Sequence, residues 1–206
     1  FYETFHDDAK LVARVLNLAL TSRDKGENPI PMAGFPHHQL ESYLGKLIAA
    51  GHRAAICEQV EDPKQAKGLV RREVTRVVTP GTVTDDALLD PHESNFLLAL
   101  VDGPLVGLAW VDLSTGRFMA AQVAPDRLAD ELARIGPVEC LLPEEADPPP
   151  VRFDERLVVT RRPGWVFSHS AAREALARHF GTQTLEGFGF ENDDAPAIRA
   201  AGAVLE

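Results

Sequence analysis

The chain has 206 residues, 45% of them hydrophobic and 25% charged, with a formal net charge of −10 at pH 7. That balance belongs to globular protein with ordinary cores, and the length suffices for two domains. No run approaches the ~20 apolar residues of a membrane span, and no basic-then-apolar leader opens the sequence, so neither a membrane partner nor a secreted protein is expected, and the predicted location is the cytoplasm. Cys57 and Cys140 are the only cysteines. They are too few and too far apart for a disulfide framework or a cysteine-rich zinc site, and their apolar neighbours predict buried thiols.

Residues 1–5 alternate aromatic and polar side chains as a short strand does, and Asp7 and Asp8 open a helical pattern carried by Leu11, Val12, Val15 and Leu16. Residues 18–21 predict a second strand, and residues 24–28 a polar loop. Pro29, Pro31 and Pro36 exclude a helix from the segment Pro29-Ile30-Pro31-Met32-Ala33-Gly34-Phe35-Pro36, which reads as a fixed extended turn. Leu40, Tyr43, Leu44, Leu47 and Ile48 share one helical face over residues 39–50, and Gly51 follows as a C-cap. A buried strand is predicted over residues 53–58, a short helix from Pro63, and a strand over residues 73–79 that stops at Pro80-Gly81. The first domain is therefore α/β, with a mixed sheet expected.

Residues 82–95 hold no sustained period beyond Ala87-Leu88-Leu89, which predicts a linker and places the domain boundary near residue 92. Residues 96–101, 105–112 and 117–123 are apolar runs punctuated by Asp102-Gly103-Pro104 and Ser114-Thr115-Gly116, the pattern of a β-meander. A helix started by Pro125, short strands over residues 139–142 and 156–160, and a helix over residues 168–180 with Ser168 as N-cap and Gly181 beyond it complete the pattern. The order β-β-β-α-β-α is like that of ribonuclease H. A last helix from Pro196 is still running at Leu205-Glu206, which predicts truncation. The expected architecture is an α/β domain over residues 1–92, linker included, and a ribonuclease-H-like domain over residues 93–206.

Charge is distributed unevenly. Residues 1–92 hold 11 Lys and Arg against 13 Asp and Glu, a net of −2, and the remainder holds 10 against 18, a net of −8. The overall sign argues against a protein that coats nucleic acid with its whole surface. Residues 63–79 nevertheless carry Lys64, Lys67, Arg71, Arg72 and Arg76 against Glu73 alone, a local net of +4. Such a run is either a phosphate-contacting stripe or the solvated edge of a strand, and composition leaves both open.

Phe1-Tyr2-Glu3, Pro31-Met32-Ala33-Gly34-Phe35-Pro36, Cys57-Glu58-Gln59, Thr79-Pro80-Gly81-Thr82 and Gly187-Phe188-Gly189 each say little alone. In this order and spacing the sequence resembles the MutS family of DNA mismatch-recognition proteins along essentially its whole length. The resemblance implies a mismatch-binding domain, short at its N-terminus, followed by a connector domain. It implies that Phe1 enters the minor groove as a wedge stacked on a mispaired base and that Glu3 sits against that base. It also implies partners: mismatched double-stranded DNA, MutL, and a second copy of the protein through C-terminal parts beyond this chain. ATP and magnesium belong to those same parts, so no cofactor is expected here. No Gly-x-x-x-x-Gly-Lys-[Ser/Thr] phosphate loop occurs in the sequence.

Physical chemistry agrees with the wedge. Residues i and i+2 of a strand project to one side, so a single strand presents Phe1 and Glu3 together and turns Tyr2 inward. A mispaired base is already partly unstacked, so prying the duplex open costs least there. A carboxylate beside DNA phosphates is repelled unless protonated, so Glu3 is expected to donate a hydrogen bond as a neutral acid. Arg23, Lys67, Arg71, Arg72 and Arg76 are the candidates for backbone phosphates, with Arg23 and Arg72 best placed. Met32 is expected either beneath the wedge or in the core.

In the second domain Asp112, at the end of an apolar strand, invites comparison with metal-dependent nucleases of ribonuclease H type, which need several carboxylates. A strand-end Asp that accepts backbone N–H bonds in a turn is the simpler reading. The helix over residues 168–180, with Arg173, Glu174 and Arg178 exposed, is the candidate docking face for a protein partner. His37, His38, His92, His169 and His179 lack metal-ligand spacing, and Trp110 and Trp165 read as core or partly buried packing. A nuclease and a pure protein-interaction module remain the competing functions.

Overall fold

The computed structural model describes residues 1–22, 26, 28–62, 68–85, 88–89, 94–147, 149, 151–191 and 194–206. Two compact units result, Phe1–Thr79 and Pro80–Glu206. Arg23, Lys64, Lys67, His92 and the helix expected from Pro63 lie outside the described residues. No helix among the described residues is long and apolar enough to cross a membrane.

In the first unit the order is β1 (Tyr2–Phe5), α1 (His6–Leu16), β2 (Thr21–Ser22), β3 (Pro31–Phe35), α2 (Leu40–Ala49), β4 (Ala54–Gln59) and β5 (Arg72–Val78). Strand β3 is the centre of an antiparallel sheet ordered β1-β3-β2. The proline-rich segment is therefore a central strand rather than a turn. Pro31 is its first residue, where a missing N–H costs least, and Pro29 and Pro36 lie outside it. The strand expected over residues 18–21 is reduced to Thr21–Ser22.

Helix α1 ends on Asn17 in the left-handed region, φ 53°, and Gly51, φ 79°, closes α2 in a Schellman arrangement. There His52 N–H reaches the Leu47 carbonyl at 3.0 Å and Gly51 N–H reaches that of Ile48 at 2.8 Å. Ala9, Val12, Leu16, Ala33, Phe35 and Leu47 form the core between the two helices and one face of the sheet.

Strands β4 and β5 form a separate antiparallel hairpin. A strand buried along its length was expected over residues 53–58, but only Ile56 is buried in β4, and Cys57 is exposed. A two-stranded ribbon has too little cover to bury both faces.

The second unit runs β6 (Phe96–Val101), β7 (Val106–Asp112), β8 (Arg117–Val123), α3 (Leu128–Ile135), β9 (Glu139–Pro143), β10 (Val158–Arg162), α4 (His169–Phe180) and α5 (Ala195–Leu205). Its mixed sheet is ordered β10-β9-β6-β7-β8, with the β6-β7-β8 meander antiparallel and β9 and β10 parallel to their neighbours. The mixed sheet thus belongs to this unit, while the ladders of the first are antiparallel. Strands β6 and β7 are buried throughout because both sheet faces are covered. Leu97, Ala99 and Val101 face α4 and α5, while Phe96, Leu98 and Leu100 face α3. Trp110 is buried in the latter layer. Trp165 is 62% exposed, contrary to a packing role, because the 3-10 turn Gly164–Phe167 spends its inward positions on Val166 and Phe167.

Candidate nucleic-acid interface

Strand register decides which side chains share a face. In the antiparallel ladder Tyr2 stands opposite Phe35 and Thr4 opposite Ala33, while Glu3 stands opposite Gly34 and Phe5 opposite Met32. Phe35 and Ala33 are core residues, so Tyr2 and Thr4 share the core face of the sheet. Glu3, Phe5, Met32 and Gly34 share the other face, and Phe1 directly precedes the strand. Phe1 is 82% exposed. Met32 is half-buried on the outer face and is not part of the core cluster.

Gly34 has a specific reason to be glycine. A Cβ there would lie 2.7 Å from the Tyr2 carbonyl oxygen and 3.4 Å from Cγ of Glu3. Only a bare backbone lets β1 approach so closely, and the position opposite Glu3 presents no side chain.

Tyr2 is anchored on the opposite face. Its ring lies 6.0 Å from that of Phe35, which in turn lies 4.7 Å from that of Tyr43 on α2. Its hydroxyl donates a hydrogen bond to the Glu58 carboxylate on β4. That bond, with burial and the charges of Glu58 and Glu41 behind it, raises the phenol above its ordinary value. The hydroxyl therefore stays a donor across the physiological range.

The hairpin joined to Tyr2 in this way carries Arg71, Arg72 and Arg76, all exposed. Arg71 pairs with Glu73, its Nε donating at 3.0 Å, and Arg76 holds both oxygens of Glu41 at 3.2 and 3.4 Å. Arg72 donates to the Val70 carbonyl at 3.2 Å and, among the described residues, makes no ion pair. The register slips between Ile56 and Cys57, leaving Thr75 as the extra residue of a β-bulge, a device that sharpens local twist. Sequence reasoning missed Glu58 and Glu41. Glu58 lay within a recognised motif, but its partner is 56 residues away.

In the second unit Arg173, Glu174 and Arg178 lie exposed on α4, whose other side packs Ala172, Ala175 and Leu176 into the core. Arg178 and Glu174 pair at 3.3 Å across one turn. Asp112 accepts from the Ser114 hydroxyl at 2.6 Å, the Ser114 N–H at 3.0 Å and the Thr115 N–H at 3.4 Å. All three bonds fall on Oδ1, and no group of three or more His, Cys, Asp or Glu side chains suited to a metal ion occurs among the described residues.

Comparison with known proteins matches residues 1–87 to MutS domain I and residues 95–206 to MutS domain II. The DNA mismatch repair protein MutS of Rhodopirellula baltica is 52% identical over an alignment of 229 residues that takes in 100% of this chain and 26% of that protein. That of Chlorobium phaeobacteroides is 42% identical over 216 residues, 100% of this chain and 25% of that protein. That of Methanothrix thermoacetophila is 58% identical over 146 residues, 69% of this chain and 17% of that protein. The chain thus spans about a quarter of the length of the first two relatives.

Proposed function

The chain belongs to the MutS family, and from that premise we propose that its first unit reads mispaired bases in duplex DNA while its second connects that unit to the rest of a longer repair protein. The observation that carries this reading is an 82% exposed Phe1 directly before an edge strand that turns Glu3 to its outer face, with the intervening residue, Tyr2, anchored on the other side.

The chemistry follows from that arrangement. Phe1 inserts between base steps from the minor groove, where unstacking costs a few kcal/mol and least at a mispair. Glu3, two residues on, meets the edge of the displaced base. A carboxylic acid in its neutral form donates a hydrogen bond there without adding charge beside the phosphates. Arg71, Arg72 and Arg76 take the DNA backbone and fix register without reading sequence. Arg23 and Lys67 are assigned to the same role on charge and sequence position, and Met32 to packing on the wedge side. Few phosphate contacts should leave the chain alone in the nonspecific range, about 10⁻⁴ to 10⁻⁶ M at physiological salt. Tight binding would come from the remainder of the protein.

On the same reading, the exposed face of α4 with Arg173, Glu174 and Arg178 receives MutL. Pairing with a second copy, ATP hydrolysis and magnesium belong to parts beyond this chain, which itself catalyses nothing. The protein works in the cytoplasm on DNA.

The test is fluorescence anisotropy of the full-length protein on a G·T heteroduplex and its matched homoduplex at low salt, with Phe1→Ala beside the wild type. Preference for the heteroduplex that vanishes in the variant supports the wedge. Equal binding of both duplexes by both proteins would favour an interaction module without mismatch recognition.

A further inference from the structure

We propose that the hydrogen bond from Tyr2 to Glu58 is what positions the wedge strand against the arginine hairpin, so that Tyr2 and Glu58 set mismatch discrimination without touching DNA. This inference rests on the recognition reading above and adds two positioning residues to it.

Strand β1 is short and, among the described residues, lies at a sheet edge with β3 as its ladder partner. Backbone pairing on one side fixes its register, and its other contacts come from side chains. Phe1 and Glu3 flank Tyr2, and Glu3 lies on the face opposite to it, so a rotation of β1 about Tyr2 moves both neighbours together. An anchor at residue 2 therefore acts on both, alongside the bond that the Thr4 hydroxyl donates to the Ala33 carbonyl at 3.2 Å. The aromatic contacts with Phe35 confine the ring, and the hydroxyl carries the restraint across to a different sheet.

Glu58 suits the acceptor role for a reason in the hairpin itself. Across the β4–β5 ladder it stands directly opposite Glu73. Two carboxylates so placed repel, unless each finds its own donor. Glu73 takes the Arg71 guanidinium, and Glu58 takes the Tyr2 hydroxyl. The wedge strand thereby supplies a hydrogen-bond donor to Glu58 on the ribbon that holds the arginines assigned to phosphates. The β-bulge at Thr75, beside the same pair, sets the local twist of the ribbon where this contact is made. Base-reading and backbone-binding elements are joined through one phenol and one carboxylate. Preorganisation of this kind acts on the selective step, because a wedge held in place loses less freedom when it enters the stack.

The test uses the full-length protein and measures equilibrium affinity for a G·T heteroduplex and its homoduplex. Tyr2→Phe keeps the ring and removes the donor. Glu58→Ala removes the acceptor, and Glu58→Gln restores one. Tyr2→Phe and Glu58→Ala should each lower the heteroduplex-to-homoduplex affinity ratio about five- to tenfold, within the range expected for one intramolecular hydrogen bond. Homoduplex affinity should change by less than about twofold. Glu58→Gln should retain most of the ratio, and the Tyr2→Phe/Glu58→Ala double variant should be no worse than either single one. An unchanged ratio in Tyr2→Phe, proportional loss on both duplexes, or additive losses in the double variant would overturn the proposal. With wild type discriminating and Phe1→Ala not, such a result sinks the positioning role alone. If wild type itself fails to discriminate, the recognition reading falls and takes this inference with it.

Discussion

Gly81 donates its backbone N–H to the buried carboxylate of Glu139 at 3.0 Å, closing a contact across 58 residues. The same carboxylate accepts the Thr160 hydroxyl at 2.6 Å, so an acid 1% exposed has a donor on each oxygen. A Cβ on Gly81 would stand 3.0 Å from the Cβ atoms of Glu139 and Leu97, which explains the glycine of the Thr79-Pro80-Gly81-Thr82 motif. Glu139→Ala strands a buried N–H and a buried hydroxyl and opens a cavity, and it should cost ~2 to 5 kcal/mol of stability. Glu139→Gln keeps an acceptor toward Gly81 and should cost less. Urea denaturation followed by circular dichroism measures both, and an alanine variant as stable as wild type would contradict the assigned role.

Acid should weaken the turn after β7 through Asp112. Burial pushes its carboxyl up, but the Ser114 hydroxyl and the backbone N–H groups of Ser114, Thr115 and Asn95 outweigh burial and hold it below its ordinary value of 3.8. A carboxyl whose folded value lies below its unfolded one contributes stability that is complete above the unfolded value and is lost as pH falls through the folded one. Asp112→Asn should therefore be less stable than wild type at pH 7, with the gap closing below pH 3.8. Denaturant midpoints across that range test this, and a gap independent of pH would show that the charge of Asp112 contributes nothing.

The parts of the fold that were legible in the sequence are those whose causes are local. Apolar runs at β6 and β7 announce a strand pair covered on both faces, Gly51 and Gly181 announce helix ends, and the N-cap bond from Ala171 N–H to Ser168 follows from a serine before a helical pattern. The segment around Pro31 was opaque because its strand status depends on partners far along the chain, Phe5 and Thr21, and three prolines mask a run that pairs through its remaining N–H groups. Cys57 and Trp165 have apolar neighbours yet lie exposed, since burial depends on what covers a strand or turn rather than on the residues beside it. For the candidate site, alternation was enough to set Tyr2 and Glu3 on opposite faces of β1, while Glu58 and Glu41, which hold Tyr2 and Arg76, come from other elements that no spacing rule connects.

The two thiols should differ sharply in reactivity. Burial, with the charge of neighbouring Glu139 added, pushes the Cys140 thiol up to about 12. Thiolate is the reactive form, so Cys140 should be inert at neutral pH while exposed Cys57 is alkylated. Iodoacetamide labelling of the folded protein, followed by peptide mapping, should mark the Cys57 peptide alone, and denaturant should bring in the Cys140 peptide. Equal labelling of both in the folded state would contradict the buried placement of β9.

Arg72 and Arg76 should contribute differently to DNA binding, although both are exposed arginines on one strand. Arg72 makes no ion pair among the described residues, so its charge is available to a phosphate without giving up a carboxylate. Arg76 must first give up Glu41, a half-exposed pair at 3.2 Å of the kind worth ~0 to 1 kcal/mol. Arg72→Ala should weaken heteroduplex and homoduplex alike and reduce the slope of log affinity against log salt by about 0.9. Arg76→Ala should act in the same direction but less strongly. Glu41→Gln, which frees Arg76 and removes a negative charge beside it, should instead raise affinity for both duplexes at low salt. Anisotropy titrations of the full-length protein from 50 to 200 mM salt, a span over which phosphate contacts change affinity measurably, check all three variants. A salt slope unchanged in Arg72→Ala would remove the hairpin from the DNA-binding surface, because a phosphate contact cannot be lost without losing the counterions it displaced.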